Sequence, residues 1–351
     1  MDIGVGLSTE KDSFLAAKEA VQQALGELKQ DTIDLVLIFS SMEYANIKTI
    51  KALSNLLGPV AIAGCTGLGL ICNQAVLRRG ISVVLLHFPD DVYCNTAFVK
   101  DVSSDNALVA GEELGEKLLY GFKQMRRDIA MVFSDGHLED GSSLTQGIRE
   151  QLGRSFPFLG ISASESRRGA KTFLYYNQEV ATNAVSGILF AGKSSFGVGI
   201  KHGWKPLGKP RRITRAEGNI IYEIEHTEAA KLYEDYLDCD LAKLKSQLKS
   251  IAALYPIGVY VEGEPEYLLR NVMEIRDDGA FVCQGNIPAD APMRLMIGTK
   301  ESCINATKEA LYEAKRELWG RKIDCVFVFE SAVRYSLLGA DTEKEIGRAH
   351  V

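Results

Sequence analysis

The sequence has no Cys-x-x-Cys pair, and its seven cysteines (Cys65, Cys72, Cys94, Cys239, Cys283, Cys303 and Cys325) are an odd, scattered set. That excludes a zinc site built on paired thiolates and argues against a disulfide scaffold, leaving reduced and mostly buried thiols. No metal and no cofactor is expected. Nowhere does an apolar run reach the roughly 18 residues that a membrane helix needs. Met1–Gly6 has no basic start, apolar core or small-residue cleavage site, so the expectation is a soluble, cytoplasmic protein without a membrane partner. An excess of one charge is lacking too: 40 basic residues face 46 acidic ones, a formal charge of −6. Such a balance provides no field for nucleic acid, which is not an expected partner.

What is present is apolar material. With 46% apolar residues in 351, the chain can fill two sizeable cores, and two domains are expected. After a short strand at Ile3–Leu7, residues 12–29 place Phe14, Ala17, Val21, Ala24/Leu25 and Leu28 on one helical stripe, capped by Asp12 or Ser13. Asp34-Leu-Val-Leu-Ile-Phe39-Ser40-Ser41 then reads as a strand buried on both faces, the kind found in layered α/β domains.

The plan recurs. Asp128–Asp135 matches Asp34–Ser41, Phe156–Ser164 matches Val60–Gly67, and Ala184–Phe190 matches Gly80–Leu86, at offsets of 94, 96 and about 104 residues. A helical segment separates the first two strands each time (Asn46–Leu57; Ser142–Leu152). The pattern predicts an internal duplication, about 31–90 and 125–192, whose small-residue loops Gly64–Gly67 and Gly160–Ser164 lie close together. Two prolines and two glycines in His202–Pro210 interrupt the apolar pattern, and the domains are divided at 1–215 and 216–345. Beyond them come helices at Glu228–Leu237 and Leu241–Leu254, strands around Ile257–Val261, Leu268–Ile275, Ala280–Cys283 and Met293–Ile297, and a helix at Ser302–Leu318. A third Asp-led apolar strand follows at Asp324–Ser331. Ile346–Val351 is what ATC GGA AGA GCA CAC GTC encodes, a common sequencing-adapter string. Residues 346–351 therefore read as an artefact that cuts off the C-terminal domain near Glu345, and His350 carries no functional weight.

Candidate chemistry gathers at strand ends, where α/β folds put ligand contacts: Ser40 and Ser41, then Ser134 and Asp135 beside His137. Gly64-Cys65-Thr66-Gly67-Leu68-Gly69 follows a strand, so its backbone N–H groups suit an anion. It lacks the Lys-Ser/Thr of a P-loop and the spacing of a dinucleotide fold. A tight turn and a small-ligand loop both remain open there. Gly160-Ile-Ser162-Ala-Ser164 is one glycine short of a nucleophile elbow, and no spacing joins Ser162 to Asp135 and His137. Cys65 reads as packing rather than a nucleophile. Arg270 and Arg334 each follow an apolar strand, where a guanidinium grips a carboxylate ligand or pairs with a local acid. Trp204 walls a pocket or packs at a domain junction. Six basic residues between Lys201 and Arg215 read as a solvated linker.

The order and spacing of these segments resemble a known family. Asp34–Ser41, Ala63–Thr66, Gly160–Ser164, Gly203-Trp204-Lys-Pro-Leu-Gly208 and Ile213–Asn219 are similar to the N-terminal FIST domain. Tyr255–Gly258, Leu268–Val272, Asp278-Gly279, Ile287-Pro288 and Arg334–Gly339 are similar to its C-terminal companion. The resemblance covers about Val5 to Gly339. It implies a sensory domain of bacterial and archaeal signalling proteins, found alone or joined to kinase, chemoreceptor or cyclic-nucleotide modules, with small ligands such as amino acids. Eukaryotic relatives join it to an F-box. Three positions depart from the family pattern: Leu70 replaces an acid, Ser331-Ala-Val-Arg334 replaces Cys-x-x-Arg, and Ala289–Pro292 replaces an acid-glycine turn. The expectation is a non-enzymatic small-ligand sensor, its ligand an amino acid or other small carboxylate, that signals to a kinase- or chemoreceptor-type partner. An enzyme with its site at the small-residue loops and a protein-interaction adaptor are the rival readings. The fold expected is α/β, layered, with duplicated strand-helix-strand units and a related C-terminal domain.

Overall fold

The computed structural model describes residues 1–72, 75–122, 126–165, 170–264, 266–288 and 290–343. The chain divides into two units, residues 1–197 with 315–329 and residues 198–314 with 330 onward. The first unit opens with β1 (Asp2–Ser8), α1 (Ser13–Glu27), β2 (Leu35–Ser40), α2 (Ile47–Leu57), β3 (Ala61–Thr66), β4 (Leu70–Cys72), β5 (Ala75–Leu77) and β6 (Ile81–His87). It then repeats the sequence of elements as β7 (Val92–Lys100), α3 (Ala107–Leu119), β8 (Arg127–Ser134), α4 (Gly141–Leu152), β9 (Phe158–Ser162), β10 (Leu174–Tyr176), β11 (Glu179–Ala181) and β12 (Ala184–Gly192).

Local chemistry sets these elements. Asp12 caps α1 by accepting from the Phe14 and Leu15 amides at 2.9 and 3.1 Å, which satisfies two orphan N–H groups of the first turn. The buried face of α1 is Ala16, Ala17, Ala20, Val21 and Ala24, whereas Leu25, expected on the stripe, is 39% exposed. The cause is β1 below it: a Cβ at Gly4 or Gly6 would fall 2.0 or 1.7 Å from the Ala24 or Ala20 carbonyl oxygen. Glycine on the strand and alanine on the helix let the two backbones touch, and that turns the larger leucine outward.

The duplication is spatial as well as sequential. One sheet runs β1-β6-β2-β3 and the other β7-β12-β8-β9, each with one parallel pair bridged by a helix (β2/β3 and β8/β9). Registers agree: Ser40 lies opposite Thr66, and Ser134 opposite Ser162. The short hairpins β4–β5 and β10–β11 are equivalent, since Leu174 stands 104 residues after Leu70, but they are used differently. β10 extends the first sheet across the copies, with Leu174 opposite Cys65 and Tyr175 opposite Gly64. β4 pairs with β5 alone, so among the described residues β9 has an open outer edge.

The third Asp-led run corrects the sequence reading. Residues 324–329 belong to the first unit but form neither strand nor helix. An apolar run becomes a strand only where another strand meets its backbone groups, and no ladder partner reaches this one among the described residues. Its last position still follows the repeat: Phe39, Phe133 and Phe329 each stand five residues after the leading aspartate. Phe39 packs edge-on against Phe133 at 5.9 Å and against Phe329 at 6.1 Å.

The second unit holds β13 (Lys205–Glu217), β14 (Ile220–Ile224), β15 (Thr227–Glu228), α5 (Lys231–Leu237), α6 (Leu241–Leu254), β16 (Ile257–Val259), β17 (Leu268–Arg270), β18 (Val272–Ile275), β19 (Phe281–Cys283), β20 (Pro292–Ile297), α7 (Lys300–Glu317) and α8 (Ala332–Leu338). Its sheet runs β17-β16-β20-β13-β14-β19-β18, with β15 on β14. The basic stretch from Lys205 is thus a strand, not a solvated linker, and residue 215 lies inside it. Pro206 is the second residue of the strand, and Pro210 sits where the ladder to β20 breaks between Leu207 and Arg211, a place that tolerates the missing N–H. Its three arginines lie on protein groups: Arg215 over Tyr222 at 4.6 Å, Arg211 over Tyr236 at 5.6 Å, and Arg212 against Asp290 at 2.9 Å. No helix among the described residues is long and apolar enough to cross a membrane. Ala289 of the Ala289–Pro292 turn and the tail Ile346–Val351 lie outside the described residues.

Candidate functional site

The two small-residue loops meet. The Ser164 amide donates to the Thr66 carbonyl at 3.1 Å, and the Leu68 amide donates to Ser164 Oγ at 3.0 Å. The strands that deliver them end in equivalent hydroxyl pairs, Ser40 with Thr66 and Ser134 with Ser162, and the surroundings of those pairs differ.

In the first copy both hydroxyls are consumed. Ser40 is fully buried, donates to the Ser41 carbonyl at 2.9 Å and accepts from Tyr175 Oη at 2.6 Å. Burial pushes the Tyr175 phenol well above its ordinary value, so it stays a neutral donor. Thr66 Oγ1 accepts from the Phe173 amide at 3.1 Å, and the Thr66 amide donates to the Phe173 carbonyl at 2.9 Å. Ser41 Oγ accepts from the Gly80 amide at 3.2 Å. Gly64 has φ +148°, and a Cβ there would fall 1.8 Å from the Ile38 carbonyl oxygen, which makes glycine a packing requirement. Cys65 is 4% exposed, and burial pushes its thiol up to about 12; a thiol so protonated is no nucleophile near neutral pH. These residues close the sheet, and the Ser40, Ser41 and Thr66 hydroxyls all have partners within the chain.

In the second copy the pair is open. Ser134 Oγ and Ser162 Oγ lie 3.1 Å apart in an exposed contact, and no other partner of either hydroxyl occurs among the described residues. Gly160 is exposed, and a Cβ there would meet nothing within 4 Å. Asp135, by contrast, is 5% exposed and holds the adjoining turn together. It accepts from the Asn183 amide at 2.7 Å, the His137 amide at 2.8 Å and Thr172 Oγ1 at 2.9 Å. His137 Nε2 is 2.6 Å from the Ala170 carbonyl. Asp135 is therefore a buried structural carboxylate, and the site chemistry reduces to hydroxyls and backbone amides.

The remaining candidates lie in the second unit. Trp204 is 4% exposed, and its Nε1 donates to the Ala253 carbonyl at 3.1 Å. Arg270 Nε donates to the Asn286 carbonyl at 2.9 Å and Nη1 to the Leu269 carbonyl at 3.2 Å, and burial pushes its guanidinium below the ordinary arginine value. Arg334 does not follow a strand; it lies in α8 and is 5% exposed. Its Nη atoms donate to the Lys201 and Cys303 carbonyls, both at 3.0 Å, and Nε is 2.9 Å from Glu330. Beside it His202 Nδ1 accepts from the Trp204 amide at 2.9 Å.

Sequence reasoning missed Tyr175, the residue that closes the first copy, and Glu330, the partner of Arg334. The 104-residue hairpin offset is the signal for the first. The i,i+4 spacing of Glu330 and Arg334 on either side of a helix start is the signal for the second.

Comparison with known proteins adds the following. The FIST N domain profile matches residues 34–227 and the FIST C domain profile residues 229–350. An uncharacterized protein of Mycobacterium tuberculosis is 25% identical over 280 residues, which cover 78% of this chain and 70% of its own length. An uncharacterized protein of Methanocaldococcus jannaschii is 26% identical over 190 residues, 50% of this chain and 34% of its own. Among solved structures, a cyanuric acid hydrolase from A. caulinodans aligns with a TM-score of 0.32 at 8% identity over 55% of this chain and 72% of that one. A second cyanuric acid hydrolase structure aligns at 0.33 and 9% over 75% and 84%. Likeness at that level carries no argument about fold or activity.

Proposed function

The chain belongs to the FIST family, and from that premise we propose that it is a sensory protein whose small ligand is held at the Ser134–Ser162 end of the second copy. The observation that carries the reading is the inequality of two equivalent sites. The Ser40 and Thr66 hydroxyls are spent on Tyr175 and Phe173, whereas the half-buried Ser134 and the exposed Ser162 are bonded to each other. Two hydroxyl donors side by side suit the two oxygens of a carboxylate, with the outward amides of Gly160 and Ser162 as further donors. An amino acid or another small carboxylate is the class to test. Arg334 takes no part in this reading, because its guanidinium is bound by carbonyls and by Glu330. Among the described residues the hydrogen-bond partner of the exposed Ser162 hydroxyl is another serine and not a base, so hydrolysis is not proposed.

A thermal-shift screen of the twenty common amino acids, acetate and pyruvate tests the reading. A compound that raises the melting temperature of the native chain and leaves the Ser134→Ala/Ser162→Ala double variant unmoved supports it. A shift that persists in the double variant places the ligand elsewhere and refutes the assignment.

A further inference from the structure

The open edge of β9 is unlike the edges that folded proteins leave exposed. Phe158-Leu159-Gly160-Ile161-Ser162 has no proline, no charge and no bulge, the devices that usually keep an edge strand from pairing with another chain. Its inward groups are spent on β8, as the Pro157 carbonyl accepts from Ala130 and the Ala163 amide donates to Ser134. By strand alternation, the backbone groups of Phe158, Gly160 and Ser162 point outward.

The equivalent edge in the first copy is occupied, and its occupant is specific. Along β3 the outward residues are Ile62, Gly64 and Thr66, each 96 residues before its counterpart. They receive an antiparallel strand in which Phe173 faces Thr66, Tyr175 faces Gly64 and Asn177 faces Ile62. Tyr175 lies across the glycine and reaches Ser40, where its ring is fully buried. The second copy keeps both halves of that receptor. Gly160 has open space beside it, and Ser134 holds its hydroxyl at the register position of Ser40. The chain's own equivalent hairpin does not match, because Ile71 stands where Tyr175 stands and has no hydroxyl to offer. Moreover, Cys72 and Ala75 line a depression with Val5 and Leu7 of β1, on the opposite side of the first sheet from β3.

We propose that the edge Phe158–Ser162 docks an extended strand of a partner protein, antiparallel to β9, with a tyrosine of that strand across Gly160 and its hydroxyl on Ser134. Main-chain bonds supply affinity and the tyrosine supplies selectivity, as in other strand additions to a sheet edge. An aromatic ring facing a strand glycine also restores the packing that the glycine lacks. The inference goes beyond ligand sensing and does not depend on it.

The probe is a labelled synthetic peptide copying residues 171–180, the natural occupant of the β3 edge, titrated into the full chain and followed by fluorescence anisotropy. Saturable binding is expected. Replacing the tyrosine that copies Tyr175 by phenylalanine should weaken it about fivefold, the worth of one hydrogen bond. Methylating that tyrosine's amide nitrogen, which removes the donor facing Gly160, should weaken it tenfold or more. On the Ser134→Ala chain, a peptide with tyrosine and one with phenylalanine should bind alike, since their difference is the tyrosine–serine coupling. Absence of saturable binding up to about 1 mM overturns the proposal, whether the edge is closed by a second copy or by the β4–β5 hairpin. Equal binding of the tyrosine and phenylalanine peptides to the native chain overturns it as well, and so does equal binding of a scrambled peptide.

Discussion

Ser40 and Ser134 occupy the same register position on equivalent strands, and the consequences of changing their partners should diverge. Tyr175→Phe leaves the buried Ser40 hydroxyl without its donor, and losing a buried partner costs about 1–3 kcal/mol; urea denaturation is the measurement. Ser134→Ala removes a half-buried hydroxyl whose partner is the exposed Ser162 and should alter stability by less than about 1 kcal/mol. Arg334 makes a sharper case. Its donors end on Lys201, Cys303 and Glu330, so Arg334→Ala removes the cation beside the largely buried Glu330 carboxylate and should cost about 3–5 kcal/mol, while the affinity for any carboxylate found in the screen stays put. A loss of affinity at unchanged stability would return Arg334 to the ligand site. His202 gives the second unit a pH dependence. Burial, joined by the nearby Lys205 and Arg334 cations, holds its imidazole below the ordinary value of 6.5 against the pull of Glu266. The unfolded chain therefore takes up a proton before the folded one does, and stability present above pH 6.5 is lost as the pH falls below it. Protonation at Nδ1 would also forfeit the bond from the Trp204 amide. The urea midpoint should drop between pH 7.5 and 5.5 in the native chain, about neutral to mildly acid on the histidine scale, and His202→Asn should flatten that drop. An equal drop in both removes His202 as the cause.

At the level of elements, the strands buried on both faces were legible because they read as unbroken apolar runs behind an aspartate. Asp34 and Asp128 each led to such a strand, and the matching offsets exposed the duplication. The hairpins were not legible. A strand of three residues, such as Leu174–Tyr176, has too few positions for a period of two to register, and β3, its partner beyond the hairpin, lies about a hundred residues away in the chain. The third run failed for a related reason: Asp324–Phe329 has the composition of a buried strand, and composition says nothing of whether a neighbour exists. Leu25 turned outward because two glycines on β1 drew α1 inward, a contact between elements rather than a property of either. The site residues divided along the same line. Glycine and serine at strand ends could be picked out, but which pair would be sealed depended on where β10 lay. Amide hydrogen exchange checks that difference directly. Thr66, whose amide donates to Phe173 at 2.9 Å, should exchange only on opening of the sheet, whereas the amides of Phe158, Gly160 and Ser162 should exchange at rates near those of an unstructured chain. Comparable protection on β3 and β9 would mean that the β9 edge is covered in solution.

For the molecule as a whole, the duplication supplies two equivalent strand edges, of which the first is covered by the chain's own β10 and the second is open among the described residues. The small ligand and the partner's strand are both assigned to the outward amides of Gly160 and Ser162, and each amide offers a single donor. Simultaneous occupation would leave one of them without its bond, so ligand and strand should exclude each other. A sensor built this way transmits occupancy without a conformational change: the ligand's arrival is read as the strand's release. Linkage makes the effect reciprocal. With the residue 171–180 peptide present at ten times its own Kd, the apparent Kd of the amino acid or small carboxylate selected by the thermal-shift screen should rise about elevenfold, the factor for simple competition. On the Ser134→Ala chain the peptide loses its tyrosine contact and the ligand its hydroxyl, so both affinities should fall while the competition for the Gly160 and Ser162 amides persists. Isothermal titration of the ligand with and without peptide measures both. An apparent Kd that does not move when the peptide is saturating would show that ligand and strand sit at separate places, and would dismantle the competition while leaving each binding event to stand or fall on its own titration.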